Sequence, residues 1–165
     1  MHILFLILVF IARWMPWIVL VGLLLVIGWD YRAKPRKFFE EACAVAVTTF
    51  LAWGISGLGK ILVHAPRPFV GSGSETIFFV RDMTSFPSGH AATLFALAGA
   101  LYFYHEGAGY AFFCCALLVS AARVAVGVHF PIDVAAGALI GLAVAVILHR
   151  YIHHICQATF FKKNL

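Results

Sequence analysis

The sequence predicts an all-α protein, a multi-pass transmembrane helical bundle of about five spans with an interfacial helix at its N-terminus. Three observations carry this reading. Of 165 residues, 63% are hydrophobic and 12% charged, the balance of a membrane protein with one domain, 1–165. The apolar residues gather into runs long enough for spanning helices. The charges collect where those runs end, so the net charge of +5 is read as membrane topology rather than nucleic-acid binding.

The first apolar run, residues 2–12, is too short to cross a bilayer alone. Arg13 and Pro16 interrupt it, and Trp14 and Trp17 have the character of interfacial anchors. We read 2–12 as an interfacial or re-entrant helix and 14–29 as the first span, with one long tilted helix over 3–29 as the alternative. No charged segment precedes the run, so it is expected to be retained rather than cleaved as a signal peptide. Residues 30–37 form a short loop with four basic residues, in which Pro35 disfavours a continuous helix.

The second span runs from about 38 to 63, with Glu40 and Glu41 where a helix start favours acids. Ala65-Pro66-Arg67-Pro68 stops it. Residues 69–84 form the one long polar loop, with alternating Gly and Ser at 71–74 and Arg81 adjacent to Asp82. The third span is 88–104, a tight turn occupies 105–109, and the fourth span is 110–127. Pro131 opens a fifth that runs to about 155. Cys43, Cys114, Cys115 and Cys156 form no C-x-x-C pair, and Cys114-Cys115 reads as packed thiols within an apolar run.

The stretch Ser85-Phe86-Pro87-Ser88-Gly89-His90 precedes the third span. Pro87 lacks the N–H that a first helical turn cannot use, and Ser88 can cap the helix. Such a start offers free N–H groups and a positive dipole end to an anion. Ser88 adds a hydroxyl, Gly89 lets a ligand approach the backbone, and His90 can carry a proton near neutral pH. Alone, a Ser-Gly-His at a helix start is more often only a cap. Upstream stand Lys60 and, after six intervening residues, Arg67-Pro68; downstream stand Arg123, then His129, then Asp133. An arginine within an apolar run is costly in lipid, so Arg123 points to function by itself. Taken separately, Lys60 and Arg67 read equally as snorkelling cations, and His129 with Asp133 as a structural pair at a helix start.

Counting spans decides where these residues lie. The end of the second span, the start of the third, the end of the fourth and the start of the fifth share one face. Every candidate falls there. The opposite face carries Arg32, Lys34, Arg36, Lys37, Arg150, Lys162 and Lys163. By the positive-inside rule that face is cytoplasmic and the candidate site faces outward.

The three spacings K-x6-R-P, P-S-G-H and R-x5-H-x3-D resemble the motifs of the type 2 phosphatidic acid phosphatase family, membrane phosphatases whose catalytic core is shared with vanadium haloperoxidases. The resemblance covers residues 60–133. Ala122 departs from it where the family usually has Ser before the Arg, which weakens a hydrogen bond at most. Residues 10–16 also resemble the N-terminal segment of small bacterial members that act on undecaprenyl diphosphate. The resemblance implies a lipid phosphatase of the bacterial inner (plasma) membrane with its site on the periplasmic or exterior side.

The residue types lead to matching roles. Lys60, Arg67 and Arg123 supply cations for the phosphate, with Ser88 and the Gly89 N–H as directed donors worth roughly 3 kcal/mol each. His129 is the nucleophile, because a carboxylate, Asp133, stands at a fixed short spacing behind it. His90 is left as general acid, and then as base for the water that hydrolyses a phosphohistidine. Undecaprenyl diphosphate is the first expected substrate, with phosphatidylglycerol phosphate, phosphatidic acid and lipid A phosphates open. No metal or other cofactor is expected: His149, His153 and His154 near Cys156 read as an interfacial cluster on the cytoplasmic side. His64 is expected to be a loop histidine lining the site's mouth. A transporter would keep its charges at mid-depth, and a scaffold would need no His–Asp pair.

Overall fold

The computed structural model describes residues 2–31, 35–71 and 83–163. They form helices α1 (His2–Tyr31), α2 (Pro35–Val63), α3 (Gly89–Tyr104), α4 (Glu106–Ala125) and α5 (Pro131–Lys163), with a 3-10 turn at Pro68–Gly71. The glycine–serine stretch beyond Gly71, the Arg81–Asp82 pair, Arg32 and Lys34 lie outside the described residues.

Stretches of α2 (Phe39–Val63), α4 and α5 (Pro131–His154) are long and apolar enough to cross a membrane. Their outer faces expose Phe50, Leu117, Leu139 and Ile147, side chains suited to lipid, and the protein is membrane-embedded. α3 has only 16 residues, yet everything from Leu94 to Leu101 along it is buried. A helix apolar on all sides belongs inside a bundle. α3 is that central helix, packed against α5, α4 and α2, while α1 lies chiefly against α4.

Small residues let the backbones approach. On α5, Gly137 and Gly141 follow Asp133 at four-residue intervals, so all three share one face. A β-carbon at Gly137 would strike the Ser88 carbonyl, and one at Gly141 the Ala92 carbonyl. This is the small-xxx-small contact of membrane helices, and it brings Asp133 to the start of α3. On α2, Val45, Thr48, Ala52 and Ser56 are buried at helical spacing, and they form the face turned to α3.

Several boundaries differ from the sequence expectation. α1 runs unbroken through Arg13 and Pro16, the long-helix alternative rather than an interfacial segment followed by a span. A proline inside a helix strands the carbonyl four residues before it. Here that carbonyl is Ala12's, and Arg123 Nη1 donates to it at 3.1 Å. Ile11, Met15 and Val19 then pack into the core along the same face. Pro35 begins α2 instead of breaking it, because a first helical position needs no N–H.

Between α3 and α4 stands only His105, not a five-residue turn. Its N–H bonds the Leu101 carbonyl at 2.7 Å and its carbonyl accepts from Gly109 N–H at 2.8 Å, so one residue closes one helix and opens the next. α5 continues beyond 155 to Lys163. Of the adjacent thiols only Cys115 packs against the core; Cys114 is exposed on the outside of α4.

Candidate active site

The start of α3 is built as a cap. Ser88 has extended backbone and its Oγ accepts from the Ala91 N–H at 3.4 Å. Its own N–H donates to the Asp133 carbonyl at 2.9 Å, which fastens α3 to the first turn of α5. The Gly89 and His90 N–H groups are first-turn donors without helical partners. Pro87 is not in the first turn, as the sequence suggested. It precedes the cap and packs on α2, where a β-carbon at Gly59 would come within 2.7 Å of its Cδ. Ser88 is fully buried and His90 is exposed.

The end of α4 explains the spacing between Arg123 and His129. Gly127 takes φ +77, its N–H bonds the Val124 carbonyl at 2.9 Å, and the Val128 N–H bonds the Arg123 carbonyl at 3.0 Å. This is a Schellman motif. The His129 N–H reaches the same Arg123 carbonyl at 3.3 Å, so the chain folds back over Arg123 and sets His129 beside it. α5 then opens with half of a capping box: the Phe130 N–H donates to Asp133 Oδ2 at 2.8 Å.

His129 Nδ1 lies 3.4 Å from that same Oδ2, with both residues 2% exposed. The approach is close but poorly aligned, and Nδ1 has no formed hydrogen bond. The Phe130 N–H already holds the oxygen. Asp133 thus caps a helix and stands behind the imidazole at once.

Each candidate cation is anchored on a main-chain carbonyl far away in sequence. Lys60 Nζ donates to Thr84 at 2.8 Å, Arg67 Nη1 to Val128 at 3.1 Å and Arg123 Nη1 to Ala12 at 3.1 Å. Buried Ser85 ties the strap before α3 to the end of α2, its N–H bonding the Ala65 carbonyl at 2.8 Å and its Oγ the Pro66 carbonyl at 3.0 Å. His64 is exposed and ends α2 with φ 49, a left-handed position that usually takes Gly or Asn.

Burial pushes the His129 imidazole down to about 2, with Arg123, Arg67, Lys60 and His90 pushing the same way. The ring is therefore neutral, the form a nucleophile needs, and those four residues stand near enough to act on its charge. The structure thus brings all eight sequence candidates to one end of the bundle: Lys60, Arg67, Ser88, Gly89, His90, Arg123, His129 and Asp133. Among the described residues, the buried side-chain atoms without a hydrogen-bond partner are Ser120 Oγ, Arg123 Nε and His129 Nδ1. All belong to α4 or the link after it.

Among the described residues no three His, Cys, Asp or Glu side chains are grouped to hold a metal. His149 stacks on Phe103 at 3.9 Å and 6°, with His153 6.3 Å away, a ring-packing cluster. Sequence reasoning missed Gly127, Ser85 and the Ala12 carbonyl. Only Gly127 carried a signal, a glycine just past the last apolar turn.

A family model described as the PAP2 superfamily matches residues 41–155. The bacitracin transport permease protein BcrC of Bacillus licheniformis is 31% identical over 137 residues, 81% of this chain and 64% of that protein. The putative undecaprenyl-diphosphatase YbjG of Escherichia coli K12 is also 31% identical over 137 residues, 81% of this chain and 66% of that protein. The chain therefore spans slightly less than two thirds of either relative. The crystal structure of LpxE from Aquifex aeolicus superposes with a TM-score of 0.67 at 24% identity, covering 92% of this chain and 88% of that one, which shows a shared fold. Since the family match takes in most of α2 and both of the later motifs, and since its stretch contains all eight candidate residues, the chain belongs to the PAP2 superfamily, the type 2 phosphatidic acid phosphatases.

Proposed function

We propose that the chain is a single lipid phosphatase domain that removes a terminal phosphate from a membrane lipid through a phosphohistidine, with undecaprenyl diphosphate as substrate. One observation carries the reading: a buried neutral His129, backed by Asp133, stands among Lys60, Arg67 and Arg123 at the capped start of α3. The substrate's phosphate seats on the Gly89 N–H and the Ser88 hydroxyl, its oxygens facing the three cations. His129 Nε2 attacks phosphorus as the bond to the leaving oxygen breaks, and His90 gives that oxygen a proton. Water then attacks the phosphohistidine and returns a proton to His90; the N–P bond breaks and phosphate leaves. His129 is buried and His90 exposed, which suits an attacking group inside and a proton donor at the mouth.

The name of the E. coli relative supports the choice of substrate. The name of the B. licheniformis relative points to transport, but the charges here gather at one end of the bundle rather than along its middle, which favours hydrolysis. The site faces the exterior of a bacterial plasma membrane.

Phosphate release by purified protein should be measured on undecaprenyl diphosphate, phosphatidylglycerol phosphate, phosphatidic acid and a lipid A phosphate. The highest kcat/KM is expected on undecaprenyl diphosphate, and release should persist in excess chelator because fixed cations already neutralise the phosphate. Preference for another lipid would overturn the substrate, and no release from any of them the activity.

A further inference from the structure

We propose that Pro16 is a positioning residue for the guanidinium of Arg123: by withholding an N–H it leaves the Ala12 carbonyl for Arg123 Nη1. The inference rests on the assignment of Arg123 to the substrate phosphate.

In a helix the carbonyl of Ala12 would accept from the N–H of residue 16. Proline has none, and its ring crowds that carbonyl away from the helix axis. Ala12 is 3% exposed, so neither water nor lipid headgroups can serve the stranded oxygen, and an unserved buried carbonyl is strongly disfavoured. Arg123, 111 residues later, donates to it at 3.1 Å. The proline creates the acceptor and the arginine fills it.

The consequence for Arg123 is orientation. Its backbone is already fixed, since its carbonyl accepts from the Val128 and His129 N–H groups. A guanidinium is a planar fork of five donors. Holding Nη1 on Ala12 therefore restrains the plane of the whole group, and buried Nε remains without a partner. Two-point recognition of phosphate depends on that plane being set before substrate arrives. α1 thus reaches the chemistry through one main-chain oxygen, although none of its side chains belongs to the motifs.

The test uses the full-length protein and the Pro16→Ala variant. Alanine restores the N–H and lets the helix take back the Ala12 carbonyl. We expect kcat/KM to fall about tenfold, with inhibition by inorganic phosphate weakened by a similar factor. The melting temperature should stay level or rise, because proline is the poorest interior helix residue. In an Arg123→Lys background, whose side chain lacks the fork, Pro16→Ala should change phosphate inhibition by less than about twofold. Unchanged kcat/KM and phosphate inhibition in Pro16→Ala would overturn the proposal, and so would a loss of activity accompanied by a lower melting temperature. Arg123→Ala separates the underlying assignment: if that variant keeps full activity, Arg123 is not a phosphate ligand, whatever Pro16→Ala does.

Discussion

The two ends of the bundle join their helices in different ways. At one end α3 and α4 meet through His105 alone, and polar side chains there bond one another. His105 Nε2 lies 3.0 Å from Glu41 Oε2, Tyr102 donates to Glu106 at 3.3 Å, and Tyr102 and Tyr110 stack edge to face at 5.3 Å. At the other end α4 and α5 are joined by 126–130, and the polar side chains bond main-chain carbonyls: Lys60 to Thr84, Arg67 to Val128, Arg123 to Ala12 and Ser85 to Pro66. Two partly exposed side chains can swing together and keep their contact. A carbonyl belongs to the frame and cannot follow. The end proposed to bind the phosphate is the one that ties its charges to the frame.

Breaking the frame-tied end should have the largest effect. His129→Ala is expected to abolish turnover on every substrate, and rapid quench should show no phosphoenzyme. His90→Ala should still form phosphoenzyme. It should lose about 10²–10⁴-fold on a lipid alkoxide leaving group and much less on p-nitrophenyl phosphate, whose leaving group needs little protonation. Equal losses on both substrates would reverse the division between the two histidines.

Smaller changes sharpen the contrast. Gly127→Ala places a side chain at φ +77 and should cost about 1 kcal/mol of stability, while also reducing kcat/KM because His129 hangs from the same turn. The thermal melt and the assay should move together. Stability should also fall in acid. Below 6.5 the unfolded chain binds a proton that folded His129, held at about 2, refuses. That loss reaches about 1.4 kcal/mol per pH unit, and His129→Gln should flatten this part of the slope. At the other end, His105→Ala should leave kcat/KM within about twofold and cost under about 1 kcal/mol, since a partly exposed polar side-chain pair contributes little. A tenfold loss of activity there would erase the distinction between the ends.

What could be read in the sequence follows from where each interaction lies along the chain. The convergence of four helix ends was legible because it needs only the order of apolar runs, and the pairing of His129 with Asp133 because it spans one helical turn. α1 was read first as two segments, with one long helix as the alternative, because Pro16 breaks a helix by local rules. The group that offsets it, Arg123, is 111 residues away. The anchoring carbonyls were invisible for a simpler reason. Every residue has one, so no residue type marks Ala12, Thr84 or Val128 as an acceptor. Ser85 is similar, a buried serine whose partners are all main chain.

α3 has 16 residues and α4 has 20, and at His105 the one ends where the other begins. At 1.5 Å per residue α4 stands about 6 Å taller. The proposed phosphate seat at the start of α3 is therefore expected to be a recess about that deep beside the end of α4. In the proposed reaction this depth is a steric sieve. A phosphate at the tip of a chain can drop into the recess, whereas one esterified on both sides would have to bring two substituents down with it. Selection of chain ends over internal phosphodiesters would then be set by a four-residue difference in helix length.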